Sequence, residues 1–422
     1  MTPAIQKIDI RAQSESEAEE QSINLTHIFK KMKPFPEKMS RPALTVGLDL
    51  GRLSWHAMFL SARRKMPWTF SGDDKREQLL EILRKEMARL GIAETRDVVV
   101  CHEIGRDGIW LRDWLLAHGF PCVILTADVL SGSGREAKTD RIDALRLAVR
   151  LCRFFDGELE CDHVYLPPPR EILEWRVVSR SRASAVASRT EFGNQFSSML
   201  DLQMEAPCHQ DIRQTDVDAL RDSLGRPLSP NVTFELKRLQ RHYLEMDADV
   251  AEADRRMEAF CREAQRRARA AREERETGTG GGPLSAEGML LKLKGLRGIG
   301  TKTSWVLVHE MFYKKFRNVG QVGSATGLVA LPRSSGSSDR CAGISRRSNG
   351  RLRATLVELA WLWIRYQPDS ALSRWFGERT REGVSTRRMR KVAIVAVARK
   401  LAVSLWKYLE RGEVPEGAKV TA

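Results

Sequence analysis

The sequence predicts an α/β layer fold over residues 42–168, followed by a chain that is almost entirely helical. Three observations carry this. Short apolar runs of the buried-strand kind alternate with helical stripes before residue 168. A heptad seam runs from Leu236 to Phe260. Beyond Leu284 apolar residues return at helical spacing, interrupted by glycine turns.

Residues 1–41 are polar, acidic around Glu15–Glu20 and then basic, and read as a flexible arm. Leu44–Leu50 is β-rich and contains Asp49 just before Gly51; only a short turn separates it from Leu53–Leu60, so the two read as a hairpin. Ser71–Leu90 puts Leu79, Leu80, Leu83, Met87 and Leu90 on one helical stripe and stops at Gly91. Asp97–Cys101 is a buried strand leading into His102 and Glu103. Trp110–His118 is a helix ended by Gly119, and Pro121–Leu125 is another buried strand. Ile142, Leu145 and Ala148 mark the buried face of the next helix.

Residues 169–276 form a helical, coiled-coil region. Leu173–Met204 is basic and helical, and Gly225–Asn231, with Pro227 and Pro230, is a break. Leu236, Leu239, Tyr243, Met246, Val250, Ala253, Met257 and Phe260 then alternate steps of three and four. This seam can pair within the chain, against Leu173–Met204, or between subunits, with a slight lean to oligomerisation. Arg262–Arg275 reads as a solvated basic helix end, with DNA or RNA contact as the lesser reading, and residues 277–283 are a linker. A mostly α domain occupies 284–412, and 413–422 is a tail. Leu293–Thr303 has the form of a helix-hairpin-helix turn, whose second helix offers N–H groups to a phosphate; an ordinary αα-corner has the same string. Leu356–Tyr366 and Lys391–Tyr408 are the last helices.

Asp140 and Asp143 are three apart, so their carboxylates share one face near a helix start. Like charges that close repel unless a cation sits between them. On this segment alone a solvated helix start, where the dipole favours Asp, is the better explanation of the pair. Asp49 and Glu103 change the balance, because open α/β sheets carry their sites at strand ends. The four together suit one or two Mg2+ ions gripping a phosphate. A second stretch, Gly327–Ser338 with Gly343–Arg353, is rich in Ser and Gly and bracketed by Arg333, Arg340, Arg346, Arg347, Arg351 and Arg353, which suit a nucleic-acid backbone. A serine there is a candidate nucleophile on phosphorus. The residues alone do not choose among Ser334, Ser335, Ser337 and Ser338.

The formal net charge of +15 fits a polyanionic partner, nucleic acid before an anionic membrane surface. No apolar run reaches membrane-spanning length, and Met1–Lys7 lacks the features of a signal peptide. The seven cysteines are scattered without a C-x-x-C pair, which speaks against a zinc site or disulfide framework and for a reducing cytoplasm.

Asp49, then Glu103 followed by Ile104-Gly105, then Lys138-Thr139-Asp140-x-x-Asp143-Ala144 resembles the DEDD transposases of bacterial insertion sequences, the insertion-sequence 110 family. Those transposases also carry G-L-x-P or a near variant, a Ser-Gly loop, G-x-I-S-K-x-G-N-x-x-L-R and an A-x-A-R-K-L ending. Ser335-Gly336, Gly343–Arg353 and the run ending Ala398-Arg399-Lys400-Leu401 correspond to the last three. Here the proline is displaced, and Ser348 stands where the family has Gly.

The resemblance implies an RNase H-like N-terminal domain, similar to the Holliday-junction resolvase RuvC, with Mg2+ on Asp49, Glu103, Asp140 and Asp143. It implies Ser335 as a nucleophile that becomes joined to DNA in a composite site. It further implies action on element ends and target in the bacterial nucleoid, a structured guide RNA, and a dimer or tetramer. Two other classes fit the residues: a RuvC-like nuclease using metal-activated water, and a non-catalytic helix-hairpin-helix nucleic-acid-binding protein.

Overall fold

Both faces of the first strand are covered, as a near-continuous apolar run in the middle of a layered sheet requires. The computed structural model describes residues 42–105, 108–126, 139–156, 164–203, 211–273, 284–335, 338–344, 349–381 and 386–421, with the backbone alone at 271–273 and 332–342. The arm expected at 1–41 and the linker expected at 277–283 lie outside the described residues. The chain divides into two compact units, Met1–Pro167 and Pro168–Ala422.

In the first unit six strands form one sheet in the order β3-β2-β1-β4-β5-β6. They are β1 (Leu44–Leu50), β2 (Ser54–Leu60), β3 (Lys65–Ser71), β4 (Val98–Glu103), β5 (Cys122–Leu125) and β6 (Val164–Tyr165). β1, β2 and β3 are antiparallel neighbours; β1, β4 and β5 run parallel; β6 returns antiparallel. Helices α1 (Lys75–Leu90) and α2 (Gly108–Ala117) supply Leu79, Leu83, Leu111 and Leu115 to the core that also holds Leu48, Trp55 and Phe59. Helix α3 (Asp140–Phe155) brings Leu147, Leu151 and Phe154 onto Val99 and Cys101, and Ala144 and Ala148 onto Met58. The alternating apolar layers are those the sequence predicts. Strand β3 is an addition: Met66 and Phe70 face inward at period two, and Pro67 is tolerated because β3 is an edge strand. The helix expected from Ser71 therefore begins only at Lys75.

One contact sets the seat of α3. A Cβ on Gly47 would lie 2.2 Å from the Ala144 carbonyl oxygen and 2.4 Å from the Ala148 nitrogen. Helix and strand thus meet backbone to backbone, with only alanine on the helix side.

The second unit is built on two long helices, α4 (Arg170–Asp201) and α5 (Pro230–Glu273). They pack antiparallel, since Trp175 meets Phe260, Arg182 meets Asp254 and Phe192 meets His242. Leu236, Leu239, Val250 and Met257 of the seam are buried and the other seam residues half-buried. The seam has its partner in the same chain, so the lean to oligomerisation loses this support. Next come α6 (Ala286–Lys294), a turn through Gly298 at φ 92°, and α7 (Thr301–Leu307), which widens into a π turn at Val308–Phe312.

After α8 (Val319–Ala325), the Ser/Gly stretch expected as a loop forms a hairpin, β7 (Ala330–Ser335) with β8 (Ser338–Ile344). Pro332 falls beside a register shift, where a strand tolerates the missing N–H. Helices α9 (Gly350–Tyr366), α10 (Ala371–Arg379) and α11 (Arg387–Arg411) close a core containing Trp305, Trp363, Leu356 and Leu401. The C-terminal stretch is tied to this core through the Leu296–Val420 bridge and Gln367 Nε2, which donates to the Arg297 and Lys419 carbonyls. Among the described residues no helix is long and apolar enough to cross a membrane.

Gly47→Ala should force α3 off the sheet and destabilise the first unit by about 1–3 kcal/mol, the usual cost of overpacking. Gly377→Ala on α10 has open space around its Cβ and should gain about 0.5–1 kcal/mol from helix propensity. Urea unfolding of both variants checks the contrast.

Candidate active site

Strand register assembles the first cluster. Asp49 on β1 pairs with His56 on β2, and His56 pairs with Thr69 on β3, so the three side chains share one face. That face is the one α3 covers. Cys101, on β4, donates its Sγ hydrogen to the Leu147 carbonyl of α3 at 3.3 Å. Glu103, two residues further, falls on the same face by strand alternation. Helix α3 opens on Thr139, whose hydroxyl accepts from the Ile142 N–H at 3.4 Å. This cap places Asp140 and Asp143 in the first turn, where the helix dipole favours carboxylates.

The carboxylates feel one another. The Asp49 carboxyl is held above its usual range, first by burial, then by the charges of Asp140 and Asp143, with a smaller push from Glu103 and a counter-pull from His56. Asp143 has a cation at hand, Arg146 Nη1 at 3.3 Å. Asp140 is exposed, with His56 Nε2 at 3.4 Å from its Oδ2. As they stand, no three His, Cys, Asp or Glu side chains among the described residues are grouped to hold an ion. The donor set nonetheless fits a divalent cation in its chemistry: hard oxygens whose charges oppose one another until a cation offsets them.

In the second unit, Ser335 closes the hairpin on β7, its backbone paired with Ser338; Ser334 pairs with Asp339 and Arg333 with Arg340. The side chains of Ser335 and Arg333, and Arg346 and Arg347 altogether, lie outside what the structure describes. Arg351 is turned into the protein: Nη1 and Nη2 donate to the Ser179 hydroxyl and carbonyl at 3.0 and 2.7 Å. Arg353, next along α9, is half-buried.

Beneath this stretch lies a network that sequence reasoning missed. Glu310, buried at the π turn, accepts two hydrogen bonds from Arg180 at 3.0 Å and one from Asn349 at 2.8 Å. Arg176 stands at 3.4 Å and Arg351 at 3.8 Å from the same carboxylate. Asn349 also caps α9 through Oδ1, which accepts from the Arg351 and Leu352 N–H groups. His309, the histidine closest in sequence to the serines, is stacked on Trp305, and burial pushes its pKa down to about 4. It is a neutral core group rather than a base for Ser335.

His56 was also missed, although a signal existed: a short turn between β1 and β2 sets Asp49 opposite it. Glu310 had no such signal, since it lies in an apolar helical run and its partners are up to 134 residues away, Arg176 among them.

Comparison with known proteins bears on both regions. A family model for DEDD transposases of IS110 elements, described as "Transposase", matches residues 46–204. A second, described as "Transposase IS116/IS110/IS902 family", matches residues 291–374. The chain is 33% identical over 398 residues to the protein named "Putative transposase y4rJ" of Sinorhizobium fredii (strain NBRC 101917 / NGR234), covering 89% of this chain and 94% of that one. The DEDD model implies an RNase H-like fold, and the mixed sheet of the first unit fits it.

Two stability measurements follow from these charges. Without metal, Asp140→Asn should raise the melting temperature by about 1–3 °C, what relief of roughly half a kcal/mol gives in a domain of this size; calorimetry in EDTA reads this. Glu310→Gln should lower stability by about 2–3 kcal/mol, because it strands buried arginine charge, discounted for the exposure of Arg180; urea unfolding reads it.

Proposed function

Because the chain belongs to the IS116/IS110/IS902 family of transposases, and so is a DNA transposase, we propose that Asp49, Glu103, Asp140 and Asp143 hold Mg2+ against a DNA phosphate and that Ser335 is the nucleophile. The observation that carries the first part is placement: β1, β4 and the capped start of α3 bring Asp49, Glu103, Asp140 and Asp143 to one face of the sheet, where Asp49, raised first by burial, also feels the other three charges. Bound there, Mg2+ would withdraw charge from the phosphate and from the oxygen that leaves. The side chains of the cluster hold the cation and orient the strand.

The Ser335 hydroxyl attacks phosphorus, forming an Oγ–P bond as the P–O bond to the leaving strand breaks. The leaving oxygen takes up a proton, and the serine proton passes to a carboxylate or to water. His309, neutral and hydrogen-bonded to the Trp305 carbonyl at 2.9 Å, has no part in this. Arg333, Arg346, Arg347 and Arg353 meet the DNA backbone; Arg351, donating to Ser179 and near Glu310, sets the start of α9 beneath them. The +15 charge supports a second polyanion, a structured guide RNA that selects the target. An assembly of two or four copies would present two sets of these groups to the two DNA strands.

Labelled suicide DNA, incubated with protein and Mg2+ and run on a denaturing gel, tests the chemistry. We expect a covalent protein–DNA adduct that maps to Ser335 by mass spectrometry. Ser335→Ala and Asp140→Ala should each lower its yield by about a thousandfold or more, while Ser335→Ala retains DNA binding. Cleavage without an adduct, undiminished in Ser335→Ala, would leave the metal-dependent nuclease as the reading. Adduct formation at the wild-type rate in EDTA would remove the metal.

A further inference from the structure

His56 has no part in the motif shared with the family, yet it is tied to the carboxylate cluster by side chains of β2, β3 and α3. Its ring is gripped at both nitrogens. Nδ1 lies 3.2 Å from the Thr69 hydroxyl. Nε2 lies 3.2 Å from the Ser54 hydroxyl and 3.4 Å from Asp140 Oδ2. Among the described residues His56 is the only side chain paired with Asp140, whereas Asp143 has Arg146. Asp140 is also the more exposed of the two, at 62% against 25% for the side chain. A carboxylate that free needs something to hold it if it is to stay over Asp49.

The tautomer follows from what surrounds the ring. If the Thr69 hydroxyl donates to Nδ1, the ring proton sits on Nε2 and points towards an anionic oxygen. The other tautomer would turn a nitrogen lone pair on the Asp140 carboxylate, acceptor against acceptor, with only the Ser54 hydroxyl to mediate. Nothing about hairpin stability asks for a histidine here, since a β-branched residue at 56 opposite Thr69 would serve strand pairing as well.

We propose that His56 is a positioning residue of the carboxylate site: steadied at Nδ1 by Thr69, it presents Nε2–H to Asp140 and holds that carboxylate over Asp49 to receive a divalent cation. The inference rests on the metal reading above. Groups that orient a ligating side chain in this way typically change metal affinity by 10–100-fold when removed.

Mn2+ binding to the full-length protein, followed by electron paramagnetic resonance and calorimetric titration at one fixed pH, is the test. His56→Leu removes both ring nitrogens. His56→Gln keeps an N–H donor near the place of Nε2, and Thr69→Val removes the hydroxyl behind the ring while keeping its shape. We expect Mn2+ affinity to fall about 10–100-fold in His56→Leu, to recover most of the way in His56→Gln, and to fall by less in Thr69→Val. Strand cleavage by His56→Leu should recover at saturating Mn2+, which separates positioning from a loss of chemistry. The melting temperature in EDTA should stay near wild type, which separates it from a structural role.

Wild-type affinity in His56→Leu, together with loss of binding in Asp140→Ala, overturns this inference and leaves the metal site standing. A His56→Gln as weak as His56→Leu overturns the hydrogen-bonding role. No saturable Mn2+ binding by the wild-type protein, or binding unaffected by Asp140→Ala, overturns the inference and the metal reading together.

Discussion

The first unit depends on one constraint, the backbone-to-backbone contact of α3 with β1 at Gly47. Its consequence is rigidity where charge is concentrated. Around that contact α3 is held by Cys101 to the Leu147 carbonyl, by Thr45 Oγ1 against Cys152 Sγ at 3.2 Å, and by Arg150 donating to the Thr126 carbonyl at 3.0 Å. A helix anchored this way cannot slide to separate its first-turn carboxylates from Asp49. The proton affinity of Asp49 is raised first by burial and then by the neighbouring charges of Asp140 and Asp143.

The second unit solves the opposite electrostatic problem. Its long helices are rich in arginine, and several of these arginines are paired with carboxylates of the same unit. Arg182 bonds Asp254, Arg189 bonds Asp247, and Arg176, Arg180 and Arg351 gather on Glu310. The paired acids are already subtracted in the net charge of +15, so these pairs fix where the remaining positive charge lies and leave its amount unchanged. The Glu310 network also joins α4, the π turn and the cap of α9. The π turn is what brings the Glu310 carboxylate to this junction, and such widened turns often occur at functional places.

Residues with one local role were easy to read. Asp140 and Asp143 stood out because a helix start has a spacing and a cap that any sequence displays. The buried strands stood out because Val98–Val100 and Val123–Leu125 are apolar throughout. Strand β3 was not legible, because only two of its residues are buried and a proline interrupts them. The Ser/Gly stretch has the composition of a loop, since serine, glycine and arginine are weak strand formers alone; cross-strand pairing makes it a hairpin.

By itself the sequence determined the alternating layers, the seam and the family, because periodicity, capping and motif order are properties of neighbouring residues. Only the tertiary structure decided that the seam closes within the chain, that Arg351 turns inward, that Glu310 gathers arginines from distant helices and that His56 stands beside Asp140. Each of these is a pairing across many residues of chain. It is set by register and by which faces meet, which no local window of sequence contains.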